Sequence, residues 1–337
     1  MTSTIRPWGH DTLIILSNAL GSSVEIASLG ATIVNWYVED KQGEIRNIVL
    51  GYDNAADYAH GNSSMGCVVG PWANRIADGC FTLGHQLVQL ECNEGTNHLH
   101  GASAALGKKV WKVSQSSRNS VTFTCSTYAG EAGYPSNIEF NVTYELSDDN
   151  ELMITYLAYP DGETPINLTQ HSYFTLDNAP TIHNHELSVR SEQYLQVDDR
   201  AIPTQWCGVE QTPFDLRQMK RLGDCIQAQH PEVTSAHGFN HCWKLDGDQT
   251  LAGATLSSKE SGLTLSVFTD QIGIQVYTGN YLNNEKGRKN EVYHAYAGVC
   301  LETQCYPDQV NSDKQADCLF SPLKPYRHHV VYRVTCD

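Results

Sequence analysis

His100 in NHLHG, His171 in NLTQHSYF and Glu302 in GVCLETQ stand in stretches that carry almost no other charge. A carboxylate or imidazole among small, apolar and amide side chains is either satisfied by hydrogen bonds inside a core or tuned for proton transfer. The chemistry open to such a set is general acid and base catalysis. Glu302, on a run that reads as a core strand, is the hardest of them to explain by packing. Near His171, the side chains of Asn167, Thr169, Gln170 and Ser172 are able to fix a tautomer, and Tyr173 and Phe174 follow; a hydrogen-bonded core histidine would look similar.

Other segments offer binding groups. In VVGPWANRIADGCF, Asn74 and Arg75 sit among small and apolar residues, so the guanidinium must be paired in a structural ion pair or aimed at a ligand. His98 and His100 are one residue apart and would share a face on a strand, which invites a metal reading, yet no third ligand is placed nearby; for His98 a core or loop role is the simpler expectation. HGFNHCWKL brings Asn240, His241 and Trp243, either a sugar-binding face or a core corner, and IGIQVYTGNYL adds Gln275, Tyr277 and Asn280.

The elements that must position these residues are strands. Apolar and polar residues alternate over Thr12–Ser17, Val24–Ser28, Thr32–Tyr37, Val121–Cys125, Ile138–Tyr144, Leu152–Leu157, Leu263–Phe268 and Val330–Val334. Turn clusters such as Asp40–Gly43, Ser147–Asn150 and Pro160–Gly162 suit antiparallel connections. Helical periodicity is weak, with candidates near Asn54–His60 and Asp215–Gln227. No βαβ rhythm, Walker A loop, GxGxxG or GxSxG occurs, which removes the usual nucleotide and serine-hydrolase cues. The fold expected is all-β, a large antiparallel β-sandwich forming a single domain over residues 1–337.

Charge narrows the partners. With 38 acidic and 22 basic residues, a net charge of -16 repels nucleic acid and anionic lipid, and a neutral or cationic small ligand fits better. The opening MTSTIRPWGHDTLIILSNALG lacks the apolar run of a leader or membrane span, so the chain reads as cytoplasmic. Eleven cysteines without a CxxC pair suit reduced, mostly buried thiols better than disulfides or a zinc site.

The motifs ANRI, NHLHG, NLTQHSYF, HGFNH, QVYTGN and LETQCYPDQVN, in that order from about Gly51 to the end, resemble the aldose 1-epimerase (galactose mutarotase) family. The resemblance implies a large twisted β-sandwich and interconversion of the anomers of a free aldose, with Glu302 as general base and His171 as general acid. It further implies that Asn74, Arg75, His100, Asn240 and Gln275 hold the sugar. One base and one acid suffice for ring opening, so neither metal nor cofactor is expected, and the two are expected on opposite sides of the sugar ring. The partner is then a small sugar, taken by a monomer or homodimer. A related isomerase of another cyclic hemiacetal, or a non-catalytic sugar binder on the same fold, are the alternatives. The chain departs from the family pattern where Asn240 replaces the usual Asp of HGFDH and Pro71 the usual Arg of GRxANRI, changing the expected hydroxyl code and removing one charge.

Overall fold

Alternation decides the architecture. Along Ile138–Leu146, Ile138, Phe140, Val142, Tyr144 and Leu146 are buried while the residues between them are exposed or half-buried, so one face of this strand must meet a core. The computed structural model describes residues 4–246 and 248–337; Met1, Thr2 and Ser3, the start of the stretch read above as lacking a leader, lie outside the described residues. In it, this strand belongs to a nine-stranded antiparallel sheet with the order Lys112–Ser116, Ser120–Thr127, Ile138–Leu146, Glu151–Pro160, Tyr326–Cys336, Leu263–Thr269, Ala254–Ser257, Glu186–Val189 and Lys220–Arg221.

A six-stranded antiparallel sheet lies against it, in the order Tyr173–Phe174, Val299–Gln304, Gly273–Tyr277, Asn240–Lys244, Gln193–Val197 and Pro203–Gly208. One apolar cluster takes Phe140, Tyr156, Val330 and Tyr332 from the first sheet and Trp243, Ile274, Val276, Val299 and Leu301 from the second. The Tyr332 hydroxyl crosses the interface to donate to the Leu301 carbonyl at 3.2 Å. A five-stranded sheet over Thr4–Asn47 adds Ile14, Val24, Ile26 and Trp36 to the same core. Burial of this apolar surface is the main stabilising contribution.

All eight strand expectations fall on observed strands. The Asn54–His60 expectation becomes a helix over Ala55–His60, whose first turn is capped by the Asn54 side chain accepting from the Asp57 amide at 3.0 Å. Asp215–Gln227 is helical only over Leu222–Ile226. Tertiary pairing overrides local propensity there, because Lys220–Arg221 is drawn into the sheet against Glu186–Leu187 and Asp215 folds back onto Arg217. None of the described helices is long and apolar enough to cross a membrane.

Candidate active site

The Val299–Gln304 strand is buried along its whole length, so its two faces meet different surroundings. Val299 and Leu301 enter the apolar core, whereas Glu302 lines an open cleft on the other side. Register carries that polarity to the neighbouring strands. Gln275 lies opposite Glu302 and Cys242 opposite Gln275, while Cys300 is flanked by Tyr173 on one side and Tyr277 on the other, and Tyr277 by Asn240. Directly opposed residues share a face, so the sheet presents two polar rows to the cleft.

His171 is delivered to this floor by backbone pairing: its amide donates to the Cys67 carbonyl at 3.0 Å, and its carbonyl accepts from the Gly66 amide at 2.9 Å. Its Nε2 stands 3.8 Å from Glu302 Oε1 and its Nδ1 3.5 Å from Cys300 Sγ. None of the expected tautomer-fixing neighbours bonds the ring. Gln170 bonds the Tyr144 hydroxyl and the Gly66 carbonyl, and Asn167 bonds the Ala73 carbonyl and the Cys305 amide, while the hydroxyls of Thr169 and Ser172 are buried without a partner among the described residues. Adjacent side chains alternate along an extended segment, which turns Gln170 away from His171.

Glu302 is only 2% exposed, and its Oε2 is buried without a donor among the described residues. Burial pushes its carboxyl above the ordinary Glu range, while His171 and Arg75 pull it back. The short gap to His171 also corrects the expectation of an acid and a base on opposite sides of a sugar: a pyranose does not fit between groups 3.8 Å apart, so the two face the cleft from one side.

Loops supply the facing wall. Asn74 and His100 both adopt left-handed backbone, with φ of 69° and 53°, and clasp each other. The Asn74 amide donates to His100 Nδ1 at 3.1 Å and the His100 amide to the Asn74 carbonyl at 3.3 Å. With Nδ1 accepting, a neutral His100 carries its proton on Nε2, ready to donate. The same left-handed turn ends the two-residue strand His98–Leu99 and separates the histidines expected to share a face. His98 is fully buried between the Glu91 carbonyl and the Tyr134 hydroxyl, as expected of a core residue, and only His100 reaches the cleft.

Arg75 takes the ion-pair reading and stands at the cleft as well. Its Nε and Nη2 form a bidentate pair with Glu94 at 2.6 Å each, and it lines the cleft. Gln275 donates from Nε2 to Asn240 Oδ1 at 2.8 Å, which leaves the Asn240 NH₂ as the group available to a ligand. Trp243 is the core corner, with its indole N–H on the Phe214 carbonyl and no exposed surface. Pro71 is buried against Gly101 rather than on the cleft, so its substitution acts on packing and not as a charge missing from the wall.

The cleft encloses about 870 Å³ and brings Asn74, Arg75, His100, His171, Asn240 and Glu302 together, with Gln275 beneath them. Two contributors escape sequence reasoning. Cys300 is visible only as the residue two positions before Glu302, which on a strand means the same face. Tyr281, 58% exposed at the lip and stacked on Tyr277 at 6.1 Å, offers an aromatic surface that its loop sequence gives no sign of. Among the described residues no group of His, Cys, Asp or Glu is arranged to hold a metal ion.

Residues 12–333 match the family model described as aldose 1-epimerase. The chain is 40% identical to the galactose mutarotase of Mus musculus over 92% of its own length and 90% of that protein. It is 32% identical to the aldose 1-epimerase of Escherichia coli K12 over 100% of its length and 99% of that protein. A solved GalM/aldose epimerase homologue from C. elegans superposes with a TM-score of 0.91 at 27% identity, covering 97% of this chain and 99% of the other.

Proposed function

We propose, for a chain that belongs to the aldose 1-epimerase family, that Glu302 is the base and His171 the acid of anomer interconversion. The enzyme is an isomerase of the mutarotase class and its partner is a small sugar. Glu302 takes the proton of the C1 hydroxyl while His171 Nε2 gives one to the ring oxygen; the bond between C1 and the ring oxygen breaks and an open-chain aldehyde results. After rotation about C1–C2 the freed hydroxyl attacks the other carbonyl face, returning its proton to His171 as Glu302 reprotonates the new C1 oxygen. Each transfer contributes roughly 10²–10⁴-fold.

The observation that carries this reading is the 3.8 Å gap between Nε2 and Oε1. The two oxygens that exchange protons are bonded to one carbon, so their acid and base must be neighbours. Arg75, His100, Asn74, Asn240 and Gln275 are the sugar-holding groups, and Tyr281 supplies a surface for an apolar sugar face. The shared core of the three larger sheets supports reading residues 1–337 as one β-sandwich domain. Galactose and glucose are the first substrates to try, because galactose mutarotases are among the relatives.

A second reading keeps the same acid and base for a different cyclic hemiacetal. It is favoured by Asn240, whose oxygen is occupied by Gln275 and whose NH₂ offers a donor where a carboxylate would accept. Polarimetry of fresh α-galactose and α-glucose tests both: acceleration that collapses in His171→Asn is expected. Acceleration that survives this change sinks the acid assignment, and no acceleration with either sugar moves the substrate to the second class.

A further inference from the structure

Below the imidazole of His171 runs a row made by three adjacent strands: Tyr173, Cys300 and Tyr277, each the register partner of the next. The ring of His171 lies over this row, with its centroid 5.1 Å from that of Tyr173 and 6.3 Å from that of Tyr277. The central member is the one that meets a ring nitrogen, at 3.5 Å from Sγ to Nδ1. The other nitrogen faces Glu302, two residues along the strand that carries Cys300. His100, at 5.7 Å between centroids, meets the imidazole edge-on and is itself anchored to Asn74. No side-chain or backbone oxygen bonds Nδ1 among the described residues.

We propose that Cys300 is a positioning residue for His171, its thiol sulfur accepting a hydrogen bond from Nδ1–H so that the proton stays on Nδ1 and Nε2 alone exchanges protons with substrate. This rests on the reading of His171 as the acid. Once Nε2 has delivered its proton to the ring oxygen, the remaining imidazole proton must reside on Nδ1 and needs an acceptor on that side. The sulfur is the atom in place to be one. Complete burial pushes the thiol well above its ordinary range, with Glu302 adding to the rise, so the sulfur stays uncharged.

An uncharged sulfur orients the ring without stabilising the imidazolium as a carboxylate would. The acid is held in place yet remains ready to give up its proton. A carboxylate in the same position would also repel Glu302 across two residues of one strand.

The test uses Cys300→Ser, which keeps an acceptor, and Cys300→Ala, which removes it, in the full chain. Three readouts apply: mutarotation kinetics, the pH profile of kcat, and ¹⁵N chemical shifts of the His171 ring. Expected for Cys300→Ala is a kcat reduced roughly tenfold with KM nearly unchanged, and, at a pH alkaline enough to hold the ring neutral, shifts that move from the Nδ1–H form toward a mixture of tautomers. Cys300→Ser should recover most of the rate and the Nδ1–H signature. A Cys300→Ala protein with wild-type kcat, pH profile and ring shifts overturns the proposal even if its melting temperature drops, since packing alone would produce that drop. Should the wild type accelerate the mutarotation of neither galactose nor glucose, the substrate reading fails while the ring shifts still decide whether Cys300 sets the tautomer.

Discussion

Two histidine–glutamate pairs, each with a buried histidine, lie on opposite faces of the six-stranded sheet at nearly the same spacing: His171–Glu302 at 3.8 Å and His241–Glu232 at 3.7 Å. His241 is in the row with Val276 and Leu301, facing the core, and its ring packs edge-on against Phe214 at 4.7 Å. Glu232 reaches it from the Pro231–Ser235 helix with Oε1 already accepting from the Tyr194 hydroxyl and the Gln196 amide. Glu302 faces the cleft and takes no such donors among the described residues. On the proposed reading, the proton-transfer pair is set apart by access to the cleft and by a carboxylate whose lone pairs are free for substrate, and not by its separation.

The sharpest break of this comparison is the same substitution on each side. Glu302→Gln is expected to lower mutarotation by roughly 10²–10⁴-fold, whereas Glu232→Gln should leave kcat within about twofold. Equal losses would mean that the core pair contributes to the chemistry. Stability should move the other way at the cleft. Because burial raises the folded Glu302 carboxyl, its protonated form is the favoured one, and that contribution is lost as pH rises through the raised value. At neutral pH the raised value thus costs stability, and Glu302→Gln should melt at or above the wild-type temperature; a clear drop would show the carboxylate to be stabilising.

A smaller effect follows from the charges around Glu302. Activity should fall on acidification through the raised Glu302 value, since the base must be ionised. Arg75→Met removes a cation that restrains that value, and the acid limb of kcat should shift upward. An unmoved limb would detach Arg75 from the base and leave it only its pair with Glu94.

The least effect on activity, but a distinct one on folding, belongs to His241. Burial pushes its imidazole down to about 3, so the neutral form is the folded one. The stability this confers is complete above the ordinary histidine range and is lost as pH falls from there toward 3. His241→Asn should retain mutarotation at neutral pH and flatten the decline of the urea midpoint between about pH 6 and pH 4. An unchanged decline would assign acid sensitivity to other groups, such as the buried His328, pushed down to about 4.

Much of this contrast is legible in the chain and part of it is not. The alternation in VCLETQ announces that Glu302 and Cys300 share a face, and the uncharged setting of His171 marks it as unusual. What sequence cannot supply is register across distant strands. The placing of Cys300 beneath His171, and of Glu94 on Arg75, each joins segments brought together only by folding. The amides of Asn167 and Gln170 are natural candidates for the support of His171, yet their side chains serve other segments. Trp243 is no sugar platform for a reason of parity, one residue from Cys242 on the cleft side. The exposed Tyr281 was invisible because a loop has no period to read.

Asn167 is one of the ties between the sheet and the loop wall: its backbone pairs with the Pro71 carbonyl and the Ala73 amide, and its side chain links the Ala73 carbonyl to the Cys305 amide. The Asp308 amide on the Arg75 carbonyl is a second. Together they fasten the loop that carries Asn74 and Arg75 to the end of the strand that carries Glu302. Removing the Asn167 side chain would loosen wall and floor at once, because the Ala73 carbonyl and the Cys305 amide would lose the same partner.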